Sequence, residues 1–237
     1  MYLAEIGARL SDVFGADNIL WVEGQTEEEC FPLILRGIAG RPLMGTIVAG
    51  IRQTGDLEGR DAKRVFELYN RLSSTSTLLP SAIGFILDRE CRSSVDIKEI
   101  QNLSRNLTIF LPRRMYENYL LNARAIAAVT NGAQGFRSGK GVTEAEVQTL
   151  IDKKRQEAAF YCKGAVAEPS EWIRHIDGAK LLREIFQELS ETRVEFKKTR
   201  HSIDLTKWLI ANEPAELGEV AEILATALSR SQAKPVA

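Results

Sequence analysis

Apolar residues recur at every third or fourth position in Tyr2, Leu3, Ile6, Leu10, Val13 and Phe14, which predicts an amphipathic helix over residues 2–14, closed by Gly15. The period then changes. Asn18-Ile19-Leu20-Trp21-Val22 is a short apolar run rich in strand formers that stops at Glu23-Gly24, and helical spacing resumes over residues 26–38 with Thr26 as the expected N-cap. Further strands are expected over 45–51, 82–87 and 107–111, with helices over 59–72 and 95–105 between them and a Ser/Thr-rich linker at 73–77. Four apolar strands alternating with helices predict an α/β fold, Rossmann-like, with a largely parallel sheet flanked by helices.

From about Asn122 the texture becomes helical and charged, interrupted by a glycine-rich loop at 132–141. Helices are expected at 178–190, 203–212 and 216–230, the first of them starting at Asp177-Gly178, with a frayed tail after them. The pattern divides the chain into a core (1–122), an inserted helical subdomain (123–172) and a C-terminal segment (173–237). Composition changes this picture little: 237 residues, 44% hydrophobic, 27% charged and a net charge of −1 exclude a generally basic nucleic-acid-coating protein. No apolar run approaches membrane-spanning length, and Cys30, Cys91 and Cys162 lack C-x-x-C spacing. Ordinary buried thiols and a cytoplasmic location are expected.

Candidate chemistry gathers where strands end. In parallel sheets ligands sit outside the carboxyl ends of the strands. Glu23 follows the first strand and Asp88 the third; Glu90 comes two residues later, and Glu27 lies one helical turn past Glu23. Carboxylates packed together repel unless a cation sits among them, and hard oxygen donors suit Mg²⁺ or Mn²⁺. A strand-end acid also serves as a helix cap or a solvated turn, so spacing alone leaves both readings open.

The residues then show a resemblance. Ile19-Leu20-Trp21-Val22-Glu23-Gly24-Gln25-Thr26-Glu27 resembles the opening strand of topoisomerase-primase (TOPRIM) domains, and Phe85-Ile86-Leu87-Asp88-Arg89-Glu90 stands at their Asp-x-Asp motif. Arg113-Arg114-Met115-Tyr116-Glu117-Asn118-Tyr119-Leu120 and Lys197-Lys198-Thr199-Arg200-His201 resemble two stretches of one branch, the overcoming-lysogenisation-defect (OLD) nucleases. The resemblance covers roughly residues 3–122 and 175–225. It implies a DNA endonuclease or nickase working with two Mg²⁺ or Mn²⁺ ions, in phage defence or DNA repair. Glu23 would ligate metal and take part in proton transfer; Glu27, Asp88, Glu90 and Glu117 would be further ligands. Lys198, or Lys197 one register away, would supply positive charge in the transition state, with Arg113, Arg114 and Arg200 on the DNA. The departure is Glu90, where the family has aspartate.

In that family an ATPase domain precedes the TOPRIM part, and this chain is expected to be a C-terminal region without it, a homodimer then resting on the missing part. Gly135-Phe136-Arg137-Ser138-Gly139-Lys140-Gly141 fails as a phosphate loop in spacing and in its last residue, and reads as a flexible loop with Arg137 and Lys140 toward DNA. Lys153-Lys154-Arg155 reads as a solvated helix face, and His201 as either a rim or a structural residue. The rival reading is a catalytically silent TOPRIM module that binds DNA or a partner protein.

Overall fold

The computed structural model describes residues 16–40, 43, 45–51, 81–133, 135–137 and 139–232. The expected helices at 2–14 and 59–72 and the 73–77 linker lie outside them. The chain forms two compact units: the first takes in the described residues up to Leu87, Arg92–Leu111 and those from Gly218 on, and the second Asp88–Cys91 and Pro112–Leu217. The units thus divide the chain at other points than the sequence-drawn boundaries at 122 and 172.

In the first unit, β1 (Asn18–Val22), β2 (Thr46–Gly50), β3 (Ser81–Leu87) and β4 (Thr108–Phe110) form a sheet in the order β2-β1-β3-β4. All three pairings are parallel, and β1 ends with Val22 opposite Gly50 and Ile86. Alternation along the strands decides the faces. Ile19, Trp21, Ala49, Phe85 and Leu87 share one apolar cluster with Ile100 of α2 (Ser94–Leu103). On the other face Gly84 brings the backbone close enough that an added Cβ would touch Leu20 and Ala227 of α8 (Gly218–Gln232). The helix α1 (Gln25–Gly37) packs on β2 and α8. With both faces covered, the strands need the near-continuous apolar runs that made them legible.

The expected N-cap of α1 is corrected: Gly24 holds that position in extended backbone, and Thr26 is buried inside the first turn. By contrast α2 carries a reciprocal capping box between Ser93 and Asp96.

The second unit is helical. Its helices α3 (Ala123–Gly132) and α4 (Glu144–Lys154) pair, α4 packs on α6 (Gly178–Leu189), and α3 packs on α7 (Ile203–Asn212); α5 is the single turn Trp172–His175. Asp177 caps α6 by accepting from the Lys180 N–H. A 3₁₀ turn, Tyr116–Leu120, packs on α6 with all five residues buried.

Two surface expectations fail here. The 132–141 loop is anchored among its described residues: Phe136 is buried edge-on to Phe186, and Arg137 donates to the Glu146 carboxylate, which also closes the cap of α4. Lys154 leaves the expected solvated face to bind Glu184 at 2.7 Å. Among the described residues no helix is long and apolar enough to cross a membrane.

Gly178 sets a packing limit in this unit. A Cβ there would stand 2.4 Å from Asn118 Oδ1, 2.8 Å from Asn118 N and 2.9 Å from the Glu117 carbonyl carbon. Since two of the three are backbone, Gly178→Ala is expected to destabilise by about 1–3 kcal/mol, the scale of overpacking. Urea unfolding of parent and variant measures it, and an unchanged midpoint would refute the fit.

Candidate metal and phosphate site

Strand endings present the first two acids. Glu23 follows β1 directly and is partly exposed, while Glu27 lies in the first turn of α1 and is buried. Glu27 folds back over Gly24, whose added Cβ would stand 3.0 Å from Glu27 Oε2. A side chain at position 24 would therefore crowd the carboxylate. Acids in a first turn also meet the positive end of the helix dipole, which makes α1 a favourable place for Glu27 and Glu28.

The remaining candidates belong to the second unit. Asp88 is buried, and its Oδ1 accepts the Tyr116 N–H at 3.0 Å. Tyr116 is itself fixed by a 2.7 Å hydrogen bond between its hydroxyl and Thr206 Oγ1. Glu90 adopts left-handed backbone (φ 48°), donates its N–H to the Arg114 carbonyl, and pairs with the Arg114 side chain at 3.5 Å. It lines a cleft of about 440 Å³ with Tyr161, Cys162, Val166 and His175 among others.

Glu117 is the unusual member. Its side chain is 0% exposed, and neither carboxylate oxygen receives a hydrogen bond from a described residue. Lys198 Nζ stands 3.2 Å from Oε1 on a side chain 46% exposed. Burying a carboxylate costs several kcal/mol even after relaxation. One cation at that distance returns about 5 kcal/mol at an effective dielectric near 20, so the pair roughly breaks even and stands or falls together.

The neighbours of Glu117 are tied down instead. Asn118 donates to the carbonyls of Ile173 and Ile176 and accepts from the Gly178 N–H. Arg113 donates to the Asn118 carbonyl and lies 4.1 Å from the centre of the Tyr119 ring. Arg114, its side chain 12% exposed, reaches Asp177 at 3.3 Å as well as Glu90. The two arginines expected on DNA thus both make internal contacts, whereas Arg200 is exposed.

Second-unit contacts therefore join Asp88 to the Glu117 turn, and Glu117 to Lys198. Among the described residues no three Asp, Glu, His or Cys side chains yet stand in a cation-holding group. The donors are nonetheless all carboxylate oxygens, and the buried, undonated Glu117 carboxylate fits a hard divalent cation.

Of the two readings open for His201, burial decides for the structural one. The expected thiols are corrected: Cys91, next to Glu90, is joined to Cys162 with 5.8 Å between Cα atoms, and the remaining thiol, Cys30, is buried. A separation of 71 residues carries no spacing signal; only folding brings the two together.

Comparison with known proteins places the fold. No protein-family profile matches the sequence, and no curated protein matches it. The structure is similar to the C-terminal region of the Xanthomonas campestris pv. campestris OLD protein, with a TM-score of 0.50 and 14% identity, over 93% of this chain and 100% of that one. It is also similar to the C-terminal region of the Burkholderia pseudomallei OLD protein, with a TM-score of 0.48 and 12% identity, over 91% and 100%. At 14% identity the Xanthomonas likeness speaks for the α/β, TOPRIM-like fold alone.

The disulfide makes a simple prediction. Denatured without reductant, the protein should show about one reactive thiol against about three after reduction, as the pairing leaves Cys30 alone. Closing so long a loop should contribute about 4 kcal/mol, seen as a lower urea midpoint in the reduced protein. Three thiols before reduction would remove the bond from the structure.

Proposed function

We propose that the chain is the TOPRIM nuclease region of an OLD-type protein and hydrolyses DNA phosphodiester bonds with Mg²⁺ or Mn²⁺. The observation that carries this reading is Glu117, a fully buried carboxylate without a hydrogen-bond donor among the described residues, facing Lys198. A purely structural buried acid collects donors; one kept free of them is suited to a cation. The OLD-like fold and the acids following β1 and β3 support the same reading.

In this proposal Glu23 and Glu27 of the first unit and Asp88, Glu90 and Glu117 of the second would serve as ligands for divalent ions, two in number, which would supply an activated water and neutralise charge at the phosphate. The chain's own groups do the rest. Tyr116 N–H orients the Asp88 carboxylate through Oδ1. Glu23, partly exposed at the end of β1, takes a proton from solvent-borne groups. The Lys198 ammonium offers positive charge where the phosphoryl oxygens gain negative charge. Exposed Arg200, two residues on, contacts the DNA backbone. Arg113 and Arg114 act at most indirectly, through the turns they brace. An ATPase domain as partner belongs to the same proposal.

The catalytically silent module has one observation in its favour. Glu90 is already paired with Arg114, and among the described residues no cation-holding group of three is formed. Metal binding separates the two readings.

Purified protein with Mn²⁺ or Mg²⁺ is expected to nick plasmid DNA and to stop on chelation. Glu23→Ala, Asp88→Asn and Lys198→Met should each lose about 100-fold or more, the scale of one group stabilising developing charge. Intact plasmid, or Glu23→Ala cutting like the parent, would overturn the nuclease. Cation binding is checked separately by thermal unfolding. A metal at 100 times its Kd should stabilise the parent by about 2.7 kcal/mol. Glu117→Gln should abolish that shift, and no shift in the parent would favour the silent module.

A further inference from the structure

His201 has no part in the chemistry proposed above. It is 6% exposed, and its ring centre lies 4.9 Å from that of Phe186 and 5.7 Å from that of Phe196. A phenylalanine would fill such a place with less polar cost. The imidazole is distinguished by Nδ1, which accepts the backbone N–H of Lys197 at 2.8 Å. The same two residues bond in the other direction, His201 N–H donating to the Lys197 carbonyl at 2.8 Å, which also accepts from Arg200 N–H at 3.1 Å.

This reciprocal tie closes an uncommon piece of backbone. Lys198–Ser202 is a single π-helical turn leading into α7, and Lys197 before it is extended. Such turns are rare and are frequently found at functional sites. Lys198 is its first residue, and the Lys198 ammonium meets the buried Glu117 carboxylate. A lysine side chain has many rotamers, so holding its Nζ at one oxygen requires that its backbone be held. The N–H of Lys197 and the ring of His201 do this from one side, the carbonyl of Lys197 from the other.

We propose that His201, neutral and carrying its proton on Nε2, is a positioning residue that locks the Lys198–Ser202 π turn and so aims the Lys198 ammonium at Glu117. Any catalytic consequence rests on the nuclease reading; the positioning itself does not. The surroundings keep the ring neutral. Burial, chiefly, and then the charges of Arg200 and Lys197 push its pKa below the ordinary 6.5, against the pull of Asp204; the other packed groups, Phe186 and Phe196, carry no charge. With a depressed pKa, the contribution is complete above 6.5 and is lost as pH falls through the folded value, when Nδ1 becomes a donor facing another donor.

His201→Asn, His201→Phe and the parent chain test this. Asparagine Oδ1 can stand near the place of Nδ1 and does not titrate; phenylalanine keeps the ring stack and removes the acceptor. The first readout is NMR: the response of the Lys198 ε signals to Glu117→Gln in each background, with hydrogen exchange at the Lys197 amide. The response and the protection should persist in His201→Asn and vanish in His201→Phe. In the parent both should fade as pH falls below 6.5 through the depressed folded value, and in His201→Asn they should not. The imidazole ¹⁵N shifts of the parent should show Nδ1 unprotonated at neutral pH.

The second readout is plasmid nicking with Mn²⁺, where His201→Phe should lower kcat roughly 10–100-fold at nearly unchanged KM, with rescue by asparagine. A purely structural role predicts the reverse order, phenylalanine tolerated and asparagine harmful, and would overturn the proposal, as would a protonated Nδ1. Should His201→Phe not fold, the parent's ¹⁵N shifts and its pH comparison with His201→Asn decide. If the parent nicks no DNA, the nuclease reading fails while the NMR result still judges the positioning.

Discussion

A carboxylate sealed from water has to be answered by positive charge, and in the second unit that demand falls on Glu117. The 3₁₀ turn that carries it is otherwise fully provided for. Tyr116 is bonded through both its N–H and its hydroxyl, Asn118 through its amide to three backbone groups, and Tyr119 lies under the Arg113 guanidinium. A turn this heavily bonded has little freedom to move the one side chain it leaves undonated. Glu117 is thereby presented as a fixed negative point, and the segment bearing Lys198 folds to meet it. The energetic balance is close, which suits a site more than a strut: buried ion pairs seldom stabilise beyond an apolar pair of the same volume.

The first unit meets a related demand by geometry. Parallel strands all end on the same side of a sheet, so an acid placed directly after one of them lies at that edge without long-range design. Glu23 follows β1 this way, and Gly24 admits the turn into α1 while leaving room for Glu27. The helix dipole of α1 then offsets part of the repulsion among its first-turn acids. Each unit thus solves the problem of holding negative charge, one with a helix terminus and one with an ammonium.

Much of this was legible in the residues because it is local. Apolar runs gave all four described strands, since a sheet covered on both faces cannot hide its composition. Asp177-Gly178 announced α6 through its cap. What escaped depends on distant partners. Thr26 matched the type of an N-cap, yet the chain turns two residues earlier at Gly24. Arg137 sat in a loop rich in glycine, but its partner Glu146 lies across the next helix start. The Cys91–Cys162 pair and the acceptor role of His201 have no sequence signal, because neither a 71-residue loop nor a reciprocal backbone bond leaves a periodicity. Among the site candidates, residue type pointed to carboxylates, but not to which would be hydrogen-bonded, ion-paired or bare.

Glu90 brings these themes to one residue. It replaces the aspartate expected from the resemblance, and its longer side chain reaches the Arg114 guanidinium, which Asp177 also engages. Its backbone sits at φ 48°, a region that costs a non-glycine residue about 1 kcal/mol or more and persists only when neighbours impose it. Three restraints do so: the N–H bond to the Arg114 carbonyl, the Arg114 ion pair, and the disulfide at the adjoining Cys91. A loop pinned so firmly is better suited to hold a carboxylate in place than to let it swing. Arg114 therefore acts on charge as much as on shape, lowering the repulsion that Glu90 would otherwise exert on Asp88 two residues before it. On the nuclease proposal, that neutralisation would weaken Glu90 as a cation ligand, while Asp88 is oriented by the Tyr116 N–H.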